Sequence, residues 1–280
     1  MCRARRSCSS TDAARRGLTL LELMLALTVS TILIGSLATL ASVTRQTSEF
    51  SEGQTAAVQH ARVAFERLNR FLSEAYATET YPGVVVVDET VGSYRYCDTV
   101  VIWRPANGTP ANASGPPLVR ELVIICPDPA DPRRLVEITA PADTRTIQLN
   151  EASLNTTSGR SLIAGIKSAS SSVKTPLTSL LRTASTSSGG NSNLRAAIRF
   201  ECELHPTAAE LTAYRNGTLA WSDIAWPQGT FSSSCGLRQV WLRGELQLMN
   251  ESYNTDGSAS AAAVPIPFLG SGALYYSVPK

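Results

Sequence analysis

RRGLTLLELMLALTVSTILIGSLATLASV, residues 15–43, decides how this chain is built, because after Arg16 the run is apolar to Val43 with Glu22 as its single charge. At about 1.5 Å per residue, a helix from Leu18 to Val43 is long enough to cross a hydrocarbon core of about 30 Å. Arg3, Arg5, Arg6, Arg15 and Arg16 precede the run, and no comparable basic cluster follows directly. That asymmetry places the N-terminus in the cytoplasm and everything from about Thr44 outward on the far side of the membrane.

Working outward, the first 17 residues hold those five arginines against Asp12, so the leader accounts for +4 of the formal charge of +2 and the rest of the chain carries −2. A slightly acidic remainder lacks the clustered Lys and Arg needed to displace counterions from phosphate, which argues against nucleic acid as a partner. A secretory signal peptide needs a shorter apolar region ending in a small-x-small site, and this stretch is longer and carries a carboxylate near its start. An uncleaved signal anchor would leave Glu22 merely close to the cytoplasmic headgroups.

The order of basic residues, Gly17, Leu18, Thr19, Leu20, Leu21, Glu22 and then an apolar helix resembles the prepilin N-terminal motif of type IV pilins and type II secretion pseudopilins. The matching residues are Gly17 through Leu27, with Leu18 standing where the family usually has phenylalanine. The resemblance implies a leader, residues 1–17, cut by a prepilin peptidase between Gly17 and Leu18, and N-methylation of the new amine of Leu18. It also implies an assembly role for Glu22. An ionised carboxylate in a bilayer costs about 2.5–3.5 kcal/mol on insertion scales and so demands a partner or a function; pairing with a neighbouring subunit's Leu18 amine would set axial register. Small residues Ala26, Ser30, Thr31, Gly35, Ser36 and Ala38 can let helices approach closely.

Residues 18–44 thus read as a transmembrane or filament-core helix, and residues 45–78 as an amphipathic helix with a stripe of Val58, Ala61, Phe65, Leu68 and Leu72 flanked by Phe71 and Ala75. Gly53 is a candidate bend, although both segments can form one spine. The amphipathic segment also looks like the corresponding helix of J-class minor pseudopilins and W-type minor pilins. Tyr81-Pro82-Gly83 ends the helix, and VVVVDE, TVVIWR, LVRELVIIC, RLVEITA, AIRFECEL and QVWLRGELQLM read as strands. Val240, Leu242, Leu246 and Leu248 share one face by period-two spacing. The fold class is α+β: a long N-terminal hydrophobic helix followed by an antiparallel β-sheet head, residues 79–280, packed on its amphipathic part. Residues 151–193, rich in Ser and Thr, read mainly as an insertion in which Leu162, Ile163, Ile166, Leu177, Leu180 and Leu181 allow short helices, and the last thirty residues as irregular.

Cys97, Cys126, Cys202 and Cys235 remain after the leader, with no C-x-x-C pair to suggest zinc or redox chemistry. An even number of separated cysteines beyond an export signal suggests up to two disulfides, the alternative being reduced, buried thiols. A hairpin about NGTPANASGPP that pairs Arg104 with Val119 would bring Cys97 opposite Cys126, leaving Cys202 for Cys235.

His60 and His205 are the only imidazoles, and no nucleophile elbow, zincin, P-loop or dinucleotide pattern occurs. Asp128 and Asp131 in PDPADPRR read as turn residues rather than cation ligands. No catalytic residue, metal or cofactor is called. The reading is a non-catalytic minor subunit in the bacterial inner membrane, single-pass with a periplasmic head, at or near the tip of a secretion pseudopilus or type IV pilus. Its implied partners are prepilin peptidase, other pilins or pseudopilins, an inner-membrane assembly platform and membrane lipid. The rivals are a DNA-uptake or adhesive minor pilin and a signal-anchored periplasmic enzyme.

Overall fold

The computed structural model describes residues 19–91, 94–113, 115–188, 191–224, 235–250 and 265–279, and the chain divides into two units, Met1–Ser51 and Glu52–Lys280. Helix α1, Leu20–Ser73, runs unbroken through both segments read from the sequence, and Gly53 does not end it. Within the second unit α1 buries Gly53, Ala57, Ala61, Ala64, Leu68, Phe71 and Leu72. Val58, read as part of that stripe, is instead 47% exposed. The buried face is shifted toward the alanines because a small side chain lets the helix backbone come close to a sheet.

The head has two principal sheets. The first has the order β1-β2-β3-β4-β5 and is antiparallel throughout, built from β1 (Val84–Val91), β2 (Tyr94–Trp103), β3 (Leu122–Pro127), β4 (Leu135–Thr139) and β5 (Val173–Thr178). Between β4 and β5 lie two helices, α2 (Glu151–Leu154) and α3 (Thr157–Ser168). A small hairpin of β6 (Thr183–Ser188) and β7 (Asn191–Ala196) follows. The second sheet, of order β10-β9-β8, consists of β8 (Ile198–His205), β9 (Cys235–Leu248) and β10 (Ile266–Pro279), with α4 (Ala208–Arg215) after β8.

Period-two alternation divides the first sheet between two cores. Val84, Val100, Ile102, Val123, Ile125 and Leu135 face α1 and the second sheet, meeting Phe200, Val240, Leu242, Leu246 and Leu248. On the opposite side Val85, Val101, Trp103, Ile124 and Ile138 pack with Leu154, Ile163 and Ile166 of α2 and α3. Trp103 is completely buried; its indole donates to Glu121 at 3.1 Å, and Tyr76 and Tyr81 meet it edge-on. Glu121 also accepts from the backbone N–H groups of Ala111 and Leu118, which ties down the loop between β2 and β3.

The segment between α1 and β10 is held by a lack of side chains. Gly270 and Gly244 are directly paired across β9 and β10, and a Cβ built at Gly270 would lie 2.3 Å from the Phe65 ring, one at Gly244 3.2 Å from it. Phe65 therefore occupies a seat that the two glycines leave open. Further along, a Cβ at Gly272 would meet Asn69 at 2.2 Å and Leu72 at 2.6 Å. On the other side of the helix Arg67 reaches Glu137 of β4 at 3.1 Å.

Three sequence readings require correction. Residues 151–193 are not merely an insertion: besides α3, a helix the sequence allowed and capped by Thr156 accepting from the Gly159 N–H at 3.2 Å, they supply β5, which completes the first sheet. Of the last thirty residues, the described part contains β10, fourteen residues paired with β9 without a break. The β2–β3 hairpin forms, but its register differs by two residues from the one expected: Trp103 pairs with Leu122 and Val100 with Ile125. Cys97 therefore does not face Cys126, and Cys97, Cys126 and Cys202 are free thiols. Cys202 pairs in register with Leu242, seven residues from Cys235 on the same strand. At about 3.3 Å per residue that offset is about 23 Å, far beyond the roughly 7 Å a disulfide spans between Cα atoms.

Two measurements follow. Gly270→Ala should destabilise the head by about 1–3 kcal/mol through overpacking, although Ala in a strand interior ordinarily gains over Gly; in a Phe65→Ala background the same change should cost less, read as coupling in urea denaturation. Burial pushes the Cys126 thiol up to about 11 and the Cys202 thiol up to about 12. At pH 8 roughly one Cys126 in a thousand is a thiolate, so iodoacetamide should leave both residues unlabelled until guanidinium unfolds the head. The unfolded Cys126 thiol ionises near 9.0 and the folded one only near 11, so its contribution makes stability decline as pH rises between those values.

Candidate functional site

Glu22 lies in the first turn of α1, and its carboxylate has a local partner. Its Oε2 accepts from the Thr19 backbone N–H at 3.0 Å and from the Thr19 hydroxyl at 3.1 Å, while the Thr19 Oγ1 accepts from the Glu22 N–H at 3.3 Å. The Thr-x-x-Glu spacing makes this a capping box, satisfying two backbone donors that a helix start otherwise leaves without partners. The sequence reading assigned Glu22 a role between subunits and passed over this one, although the spacing was there to be read. Oε1 of Glu22 has no partner among the described residues. The carboxylate thus serves the cap with one oxygen and presents the other. Gly17 and Leu18, the residues read as the cleavage site, lie outside the described residues.

Beyond the cap the helix shows large apolar side chains on all sides, including Leu20 at 77% and Ile32 at 71% exposure, and it is long and apolar enough to cross a membrane. Most of its hydroxyls turn inward on the helix itself. Thr28 donates to the Leu25 carbonyl, Thr31 to Thr28, Ser36 to Leu33, Thr39 to Gly35 and Ser42 to Thr39, all within 2.9 Å. These donors are therefore satisfied without water, the condition hydrocarbon imposes on a polar group. Among the described residues and outside its own helix, nothing lies within 4 Å of a Cβ built at Gly35.

The head offers surfaces with paired charges. A concavity of about 350 Å³ on the outer face of the second sheet is lined by Arg199, Glu201, Trp241, Arg243, Glu245 and Leu269. Arg199 pairs with Glu201, Arg243 with Glu201 and Glu203, and the Arg243 guanidinium covers the Trp241 ring at 4.9 Å. Asp128 and Asp131 behave as turn residues, accepting from the Ala130 and Arg133 backbone N–H groups. His205 sits 3.6 Å from Glu203, and His60 is half-buried on α1. Among the described residues no group of three or more His, Cys, Asp or Glu gathers to hold a metal. Burial pushes the Asp98 carboxyl above its ordinary range and Tyr276 up to about 12, with the nearby Glu89 and Cys202 adding to the respective shifts.

Compared with known families, residues 12–38 match the prokaryotic N-terminal methylation motif. Comparison with curated proteins and with solved structures finds no match. The matched residues include Thr19 and Glu22, so the cap lies inside the motif. Thr19→Val should cost about 0.5–2 kcal/mol at the helix start, visible in detergent micelles as about twofold to thirtyfold faster hydrogen exchange of the amides of Leu20 to Leu23, with exchange near Leu33 unchanged.

Proposed function

We propose that this chain, which its N-terminal methylation motif places with the type IV pilins and pseudopilins, is a non-catalytic minor subunit assembled at or near the tip of a secretion pseudopilus or type IV pilus. The motif makes it a prepilin peptidase substrate that assembles with other pilins, anchored by α1. The finer reading adds the cut between Gly17 and Leu18, N-methylation of Leu18 and a cytoplasmic N-terminus, the last supported by the five arginines of the leader. The observation that carries it is the combination of Gly17, Leu18 and Glu22 with a 54-residue helix whose first half is apolar and whose last turns pack into a β head. A head of two principal sheets on a 280-residue chain supports a capping or priming position rather than the repeating body of a filament.

Glu22 would set register through the carboxylate oxygen the cap leaves over. In hydrocarbon, a methylated ammonium of a neighbouring Leu18 offsets the desolvation of that carboxylate, and the pairing exists only when two subunits are aligned axially. The arginines on the head's outer face are matched by Glu201 and Glu203, an arrangement that does not favour nucleic acid.

Coexpression with a prepilin peptidase should shorten the chain by Met1–Gly17 and leave N-methyl-Leu18, read by intact mass and N-terminal sequencing; a different mature start refutes the site assignment. Glu22→Gln keeps a cap acceptor but removes the charge. It should be inserted and cleaved normally, yet recovered with copurified pilins at least about tenfold less than the parent chain, and undiminished recovery would remove Glu22 from the register role.

A further inference from the structure

The edges of the two principal sheets are treated differently. At β1 the Asn155 side chain imitates a neighbouring strand, accepting from the Asp88 N–H at 2.9 Å and donating to the Val86 carbonyl at 3.5 Å, and Cys202 of β8 contacts the Val84 carbonyl. That last contact also sets β8 against β1. The β5 edge carries Lys174 and Pro176. Such devices stop an edge from recruiting another strand. β10 has none of them along its centre. From Phe268 to Val278 it contains no charged residue, no proline and no break in its pairing with β9. Among the described residues its backbone bonds to no strand other than β9. Leu269 and Tyr275 stand 81% and 54% exposed on its outer side.

We propose that the free edge of β10 is an assembly surface that adds a strand from the head of a different pilin-class subunit of the same filament. The inference rests on the pilin reading above. Backbone N–H and C=O groups supply the pairing, and the uncharged column of Leu269, Ser271, Ala273 and Tyr275 selects an uncharged strand over a charged peptide or nucleic acid.

The packing of α1 decides between a second copy and a different subunit. Gly53 lies beside Asn250, just beyond the β9 residue that pairs with the start of β10; Phe65 then sits on Gly270, and Leu72 on Gly272. The Glu52–Ser73 segment therefore runs along β10 in the same sense. Two copies paired antiparallel at β10, as identical edges pair about a two-fold axis, would have these helix segments running in opposite directions. Subunits anchored in one membrane and built into one polar filament share a direction. The occupant is accordingly a strand with its own sequence, from a non-identical neighbour.

The test uses the full chain coexpressed with the peptidase and the other prepilins of its host. A photo-crosslinking amino acid is placed at Ser271 beside the edge or at Glu203, which lies on β8 of the same sheet away from that edge. The expected result is a Ser271 adduct identified by mass spectrometry as a different prepilin-class chain, at least about fivefold above the yield from Glu203. Ser271→Lys in a chain carrying the crosslinker at Tyr275 should abolish that adduct without changing the thermal unfolding midpoint. Adducts only with its own chain, only with a non-pilin protein, or equally from both positions overturn the inference, as does no adduct from a chain that is cleaved and copurifies with pilins. A chain neither cleaved nor copurified overturns the pilin reading itself and this inference with it.

Discussion

The distance between α1 and the strands it lies on is the constraint from which the head is built. Ala57, Ala61 and Ala64 keep the helix surface low, and Gly244, Gly270 and Gly272 keep the strand surface low. Phe65 is the large group that fits between them. Because glycine contributes no burial of its own, the stabilisation comes from the aromatic ring and the aliphatic side chains that close contact admits, at about 25 cal/mol per Å² of apolar surface removed from water. Larger residues on either side would lift the helix and loosen the core that Val100, Ile102, Val240 and Leu242 share with it.

Charge plays a smaller part in holding the helix. Arg45–Glu49, Arg62–Glu66 and Arg70–Glu74 are spaced by four residues on α1, but each places the cation before the anion, the weaker orientation on a helix. Such solvent-exposed pairs are screened by water and salt and add little to stability. The buried charges matter differently. Asp88 is 4% exposed and is held by Arg95 and Arg160, so removing either arginine withdraws one of the compensations for a desolvated carboxylate. Apolar packing therefore fixes where α1 sits, and Asp88 fixes where α3 meets β1.

The helix and most strands were legible because their periods are clear. Val240, Leu242, Leu246 and Leu248 alternate with only Gly244 interrupting the row, and the apolar run after Arg16 leaves little choice. β5 was not legible, since Lys174 and Pro176 are the residues that demote a strand pattern and here mark an edge. β10 escaped notice because Gly, Ser, Ala and Pro read as loop composition when the bulky contact partner, Phe65, lies some two hundred residues earlier. The register error at β2–β3 has a similar origin: the loop is anchored by Glu121 through Trp103, Ala111 and Leu118, and these nonadjacent contacts place Leu122, not Val119, in the ladder. At the candidate site, order and spacing drew attention to Gly17 and Glu22 as expectations, whereas the Thr19 cap was missed because Glu22 had already been given another task.

The capping box gives the helix start an independence from what precedes it. Its two members, Thr19 and Glu22, both lie downstream of Gly17, so the information that begins the helix resides wholly in the portion that a cut after Gly17 would retain. With α1 beginning at Leu20, a cut after Gly17 would leave both members of the cap, and so the start of the anchor, in place.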